Sequence, residues 1–118
     1  MQMFVDVSAV YLHRAPVDFR KSINGLSVIV ESEMALSPLS GALFVFCNKK
    51  RDKLKLLYWD RTGFALWYKR LEQAKFQWPR RMHEDVIALT ENQLHWLLDG
   101  YDITKMQPHA ALHYQTLL

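Results

Sequence analysis

Three carboxylates are the residues of this sequence best placed for phosphodiester chemistry. Metal-dependent cleavage or transfer of a DNA strand requires two or three carboxylates that converge on the ions. The acids in question are Asp18, Asp60 and Glu72. They fall where the sequence predicts a helix cap, a turn after a strand and the end of a helix, and each position explains an acid without chemistry. We therefore predict that the chain is not an enzyme, with no catalytic residues and no cofactor.

Histidine and cysteine offer no stronger site. His109 and His113 have the i, i+4 spacing of a helical metal pair, but no third ligand is positioned beside them. His83 and His95 each stand singly beside acidic or aromatic neighbours, where a structural or solvated role is usual. Cys47 is the single cysteine and cannot form an internal disulfide, so we expect it to be a small packed residue. The sequence predicts no metal site.

Positive charge is concentrated in the middle of the chain. Between Asn48 and Arg81 lie eleven of the fifteen Lys and Arg residues and three of the twelve acids, so this segment carries +8 and the rest −5. Such a patch attracts polyanions by neutralising phosphates and releasing counterions. A solvated hairpin whose lysines prevent edge pairing would have a similar composition. The candidate nucleic-acid-binding residues are Lys49, Lys50, Arg51, Lys53, Lys55, Lys69, Arg70, Arg80 and Arg81.

Aromatic residues alternate with these bases, as they do on surfaces that stack nucleobases. Aromatic residues at strand or helix period are also ordinary core residues, and both interpretations apply here. We assign to the core Phe64, Leu66, Trp67 and Leu71. The candidate aromatic contacts are Tyr58, Tyr68 and Trp78.

The chain that must position these residues has 118 residues, the usual size of one domain, and half of them are apolar. Residues 1–118 are therefore predicted to form a single domain with a basic segment at 48–81, and residues 101–118 to fray. The N-terminal sequence lacks the pattern of a secretion signal, and no apolar run approaches the roughly 18 residues of a membrane span. We expect a cytoplasmic protein without membrane contact.

Apolar periodicity gives the elements of the first half. A short strand is predicted over 8–13, and Asp18 is predicted to cap a helix. Helical spacing relates the apolar residues that follow it, namely Phe19, Ile23, Leu26, Val30 and Met34. Residues 37–41 have the composition of a loop, and 42–47 form an apolar run rich in strand formers.

The second half opens with a hairpin. The polar segment 48–52 joins the run 42–47 to 53–59, where alternation places Lys53 and Lys55 on one face. A helix is predicted over 64–72, capped by Thr62, and a strand over 75–78. Thr90 and Gln93 match a capping box for a last helix ending near Gly100. The predicted fold class is α+β, a small antiparallel sheet of a hairpin plus additional strands, packed against two or three helices.

Four segments carry a resemblance to a known family. They are SGALFVF at 40–46, KLLYWD at 55–60, LWYKRLE at 66–72 and FQWP at 76–79. These segments resemble TnpB, the small accessory protein encoded by the second reading frame of IS66-type insertion sequences, which is distinct from the RNA-guided nuclease of the same name. Weaker similarity extends back to residues 18–21 and 25–26 and forward to 90–94.

The resemblance implies an accessory role in bacterial transposition beside a separate, larger transposase. Two mechanisms remain open at this point. The protein binds DNA, at the element ends or non-specifically, through the basic hairpin and helix, or it is an interaction module that stabilises or activates the transposase without touching DNA. The expected partners are therefore DNA, the transposase and the other small accessory protein of the element. The sequence leaves the oligomeric state open.

Overall fold

A computed structural model describes residues 7–79 and 84–103 of the chain. These residues form five strands and two helices. In chain order the elements are β1 (Val10–His13), α1 (Ile23–Ser32), β2 (Leu43–Cys47), β3 (Lys53–Asp60), β4 (Gly63–Arg70), β5 (Val86–Leu89) and α2 (Glu91–Leu98). Neither of the described helices is long and apolar enough to cross a membrane.

The five strands form one sheet in the order β4-β3-β2-β1-β5. The predicted α+β class is confirmed, but the sheet is mixed rather than wholly antiparallel, because β1 and β2 pair in parallel. Parallel neighbours require a crossover connection, which α1 supplies between them. The β2–β3 hairpin is confirmed, and β3 pairs in turn with β4.

Hydrophobic residues cover both faces of this sheet. On one face α1 packs Leu26 and Val30 against Phe44 and Phe46 of β2. On the opposite face α2 packs its three leucines against a cluster that includes Val45 of β2. Successive residues of a strand point to opposite faces, so β2 contributes to both clusters and is buried at all five positions. We call the two sides the α1 face and the α2 face.

The helix predicted over residues 64–72 is wrong, because this segment forms strand β4. It pairs with β3 along its whole length, from Lys53 opposite Arg70 to Asp60 opposite Gly63. The two residues between the strands include Arg61, whose φ of 52° makes the tight turn. The aromatic residues fit helical spacing and strand alternation equally in so short a segment, and pairing with β3 decides between them.

Three other features of the fold differ from the sequence prediction. The first helix begins after Ser22 rather than at Asp18, because the Asp18 carboxylate accepts the backbone N–H of Arg20 and closes a turn there. Residues 75–78 form no strand, although the backbone N–H of Phe76 donates to the Arg51 carbonyl at 2.7 Å. Strand β5 was not predicted.

The C-terminal prediction is confirmed within the described residues. The Thr90 side chain accepts the backbone N–H of Gln93 at 3.1 Å, and the Gln93 side chain accepts that of Thr90 at 2.9 Å. These bonds form the predicted capping box of α2. Gly100 follows the helix at a φ of 94°. Of the predicted tail at 101–118, only residues 101–103 fall inside the described part of the chain.

Cys47 is fully buried on the α2 face, as expected for a packed residue. Burial raises the pKa of its thiol to about 12, because the thiolate would lose its hydration there. The residue is therefore a small apolar side chain of the core at neutral pH.

Candidate nucleic-acid interface

A cleft of about 530 Å³ opens on the α1 face, between the loop that precedes α1 and the β2–β3 hairpin. Its lining residues are Val17, Asp18, Phe19, Arg20, Asn48, Lys49, Lys50, Lys53, Lys55 and Tyr68. Five of these side chains are cationic and one is acidic. We call this site the basic cleft, and it joins residues that are up to 51 positions apart in the sequence.

Lys55 anchors the loop that forms one wall of the basic cleft. Its Nζ donates to the carbonyl oxygens of Phe19 at 2.9 Å and Lys21 at 2.8 Å, and it lies 4.9 Å from the centroid of the Phe19 ring. The backbone N–H of Val17 adds a bond to the Cys47 carbonyl at 2.9 Å. Lys55 is only 9% exposed, and this burial lowers the pKa of its ammonium group. The side chain therefore has a positioning role in addition to its charge.

The hairpin tip carries the rim of the basic cleft. Lys49 and Lys50 are exposed there, and Lys53 is half-buried at the start of β3. The side-chain oxygen of Asn48 accepts the backbone N–H groups of Asp52 at 3.1 Å and Lys53 at 3.0 Å. The Asn48 amide also donates to the Asp52 carboxylate at 2.6 Å, which lowers the pKa of that acid. These bonds hold the turn in one shape, so the lysines extend from an ordered support.

Arg20 is a cleft residue that the sequence-based site did not include. Its guanidinium donates to the Asp18 carboxylate, with the shortest contact at 2.6 Å from Nη2 to Oδ2. This hydrogen bond is the main cause that lowers the pKa of Asp18 to about 2. Arg20 precedes the basic segment by 28 residues, so composition alone did not connect the two. The signal in the sequence was a base beside Lys21, close to the predicted cap Asp18.

The other predicted bases that the structure describes do not line the basic cleft. Lys69 points to the α2 face, where its Nζ donates to the Leu98 carbonyl at 2.9 Å. Arg70 is exposed and pairs with Glu72 at 2.8 Å. Arg51 lines a second cleft, of about 280 Å³, that also contains Trp78. Arg80 and Arg81 lie outside the described residues.

The three aromatic candidates also lie in different parts of the structure. Tyr68 lies in the basic cleft with 51% of its surface exposed, and its ring meets that of Phe19 edge to face at a centroid distance of 6.4 Å. Tyr58 packs against the core on the α2 face. Trp78 is buried, and its indole N–H donates to the Arg14 carbonyl at 2.7 Å. Tyr68 is therefore the aromatic candidate that the fold places among the cleft lysines.

Comparison with known proteins decides the family. A family model described as IS66 Orf2 like protein matches residues 8–108, a range that includes the whole basic cleft. The chain belongs to this family. Two uncharacterized proteins of Sinorhizobium fredii are similar to it: y4jC is 36% identical over 92 residues, covering 78% of each chain. The second, y4hO, is 34% identical over 93 residues, covering 79% of this chain and 80% of the relative. No solved structure matches.

Membership of the IS66 Orf2-like family confirms the resemblance seen in the sequence and supports an accessory role in transposition. The three acids considered for catalysis do not meet in this IS66 Orf2-like protein. Asp18 and Glu72 each pair with an arginine, and Asp60 lies at the β3–β4 turn. Across residues 7–79 and 84–103, no three His, Cys, Asp or Glu side chains are grouped to hold a metal ion. His83, His109 and His113 lie outside the described residues.

Proposed function

We propose that this IS66 Orf2-like protein binds DNA non-specifically through the basic cleft and so assists the transposase of its element. The observation that carries the proposal is the convergence of five cationic side chains on one cleft that contains a single carboxylate. Neutralisation of phosphates by lysine and arginine, with release of counterions, is sufficient for sequence-independent binding. The proposed partners are DNA and the transposase, together with the other small accessory protein of the element.

The arrangement of the cleft residues suits phosphate contacts. Lys49 and Lys50 are exposed on an ordered turn, so they can reach an anion without rearrangement of the hairpin. The Arg20–Asp18 pair is also accessible, since the arginine side chain is 91% exposed. Exposed ion pairs contribute little stability, so the guanidinium can exchange its carboxylate for a phosphate at small cost. Such contacts position a protein on DNA without reading its sequence.

The test replaces Lys49 and Lys50 together with glutamine. Because both side chains are exposed, the thermal stability should stay close to that of the natural protein. Affinity for duplex DNA should fall, and the slope of log K against log salt should flatten by roughly 0.9 for each phosphate that is no longer neutralised. The fall should be similar for unrelated DNA sequences. Fluorescence anisotropy over a series of salt concentrations measures each of these quantities.

A matched control removes two charges that do not line the basic cleft. Arg61→Asn with Lys75→Gln has the same effect on net charge, and asparagine tolerates the positive φ at residue 61. This variant should keep the natural salt slope. If both double variants lose affinity equally, the basic cleft is not the binding site. If the Lys49 and Lys50 variant binds DNA normally but no longer associates with the transposase, the cleft instead meets an acidic protein surface.

A further inference from the structure

We infer that the basic cleft accepts an unpaired nucleotide of single-stranded DNA, whose base stacks on Tyr68. The inference rests on the proposed function and names the form of DNA that the cleft is built for. Phosphate contacts alone do not distinguish duplex from single strand, because both present phosphates. The aromatic side chain in the cleft does distinguish them.

Tyr68 is more exposed than the other aromatic residues on its face of the sheet that pack against the α1 cluster. It belongs to β4, which has β3 on one side, and it faces the α1 side of the sheet directly opposite Lys55. Other aromatic residues on this face, Tyr11, Phe44 and Phe64, pack against the α1 cluster. Tyr68 instead lines the cleft with 51% of its surface exposed, and it touches Phe19 through an edge-to-face contact. An apolar ring surface is therefore available to a ligand.

Cationic side chains line the same cleft as this ring. Lys53 lies two residues along β3 from Lys55 on the same face, which places it diagonally across from Tyr68, at about 7–8 Å. Lys50 and Arg20 line the same cleft. A base on the Tyr68 ring would therefore have cations within reach of its phosphates. Proteins that bind single strands without sequence preference combine the same two features, a basic groove and aromatic stacking surfaces.

A duplex cannot use the Tyr68 ring in this way. In duplex DNA the faces of the bases are stacked on one another, and only their edges are accessible in the grooves. The cleft volume of about 530 Å³ lies in the range of pockets that hold small molecules, which suits a single nucleotide. Only an unstacked base can therefore stack on the Tyr68 ring.

The experiment measures binding of three probes of equal length: single-stranded oligothymidylate, an abasic strand with the same phosphates, and a duplex. Tyr68→Ala should weaken binding of oligothymidylate by roughly 5- to 150-fold. Binding of the abasic strand and of the duplex should not change, because neither probe offers an unstacked base to the ring. Tyr68→Trp should restore binding of oligothymidylate. Tyr101→Ala is the matched control, since Tyr101 is 56% exposed and lies outside the lining of the basic cleft.

Other outcomes overturn the inference in distinguishable ways. If Tyr68→Ala binds oligothymidylate as the natural protein does, while the Lys49 and Lys50 variant is weakened, the cleft binds DNA without stacking and only the inference fails. Equal weakening for oligothymidylate and the abasic strand would show that Tyr68 orders the phosphate contacts instead. If the natural protein binds none of the three probes, the proposed function fails together with the inference. Thermal denaturation of each variant separates these results from loss of the fold.

Discussion

Lys55 combines a charge with the most restricted surroundings of the five cleft cations. An ammonium group loses hydration on burial, and the two carbonyl oxygens of the loop before α1 replace part of that hydration. The Phe19 ring lies against the same ammonium group, and both residues line the cleft. Lys55 therefore fixes the loop that forms one wall of the basic cleft. The same loop carries Phe19, whose ring contacts that of Tyr68.

At the residue scale we predict that Lys55→Met loosens this loop without unfolding the protein. Methionine keeps most of the length of the side chain and removes both the hydrogen bonds and the desolvated charge. Because these effects oppose each other, the free energy of unfolding should change by less than about 2 kcal/mol. Amide hydrogen exchange of residues 17–21 should accelerate, and DNA affinity should fall.

Lys53→Met provides the control for that prediction. It makes the same substitution two residues away on the same face of β3, and it removes a cleft charge without removing the loop anchor. DNA affinity should fall in both variants, whereas loop exchange should accelerate only in Lys55→Met. Equal exchange rates in the two variants would mean that the loop does not depend on Lys55.

The residues of the site could be predicted in part. Charge concentration and strand alternation correctly placed Lys53 and Lys55 on one face, and the hairpin tip followed from the polar segment between two apolar runs. Arg20 and Phe19 could not be found, because they join the cleft through a loop that folds back across more than 30 residues. Lys69 was included because it belongs to the basic segment, whereas strand alternation turns it to the α2 face.

At the scale of elements, the sequence predicted correctly those features whose interacting residues all lie within one short segment. The capping box of α2 involves residues three apart, so the sequence was enough to predict it. The choice between helix and strand for residues 63–70 depended on a partner, β3, that supplies eight paired positions. Strand β5 depends still more on a distant partner, because it pairs with β1, which lies 73 or more residues earlier in the sequence. Its four residues carry too little periodicity to be recognised alone.

We predict that Thr90→Ala destabilises the protein by about 1 kcal/mol through loss of the cap. The backbone N–H of Gln93 would lose its acceptor at the N-terminus of α2, while the leucines that pack against the sheet stay in place. Thr90→Ser keeps a hydroxyl at the cap and should change the free energy of unfolding by only a few tenths of a kcal/mol. Denaturation by urea measures both variants. An equal loss in Thr90→Ser would show that the methyl group, rather than the cap, stabilises this end of the helix.

The whole molecule is organised around a strand that no solvent reaches. Hydrophobic clusters that include residues of α1 and of α2 cover the two faces of β2, and β1 and β3 pair with its two edges. Stability should therefore decrease outward across the sheet, from β2 toward β4, which is partly exposed along most of its length. The basic cleft lies on the less stable side, so its wall can adjust to a ligand while the centre of the sheet stays fixed.

Amide hydrogen exchange tests this gradient. The amides of Phe44 and Val45 should exchange only through global unfolding, whereas those of β4 that face away from β3 should exchange through smaller openings. The expected result is slower exchange in β2 than at the outer positions of β4. Protection of those outer positions equal to that of β2 would contradict the prediction, because it would require a further partner for β4.

The position of β1 in the sheet has a consequence for synthesis of the protein. Among the described strands, β1 is the first to leave the ribosome, and it lies between β2 and β5, where Val10 pairs with Leu89, 79 residues away. The antiparallel ladder from β2 to β4 is local and can form while translation continues, and β1 can pair with β2, but the other edge of β1 must wait for the chain to reach β5. Contacts between distant residues form slowly, because the intervening chain must first be ordered. Until then β1 has an unsatisfied edge, and the nascent chain is most vulnerable to mispairing during that interval.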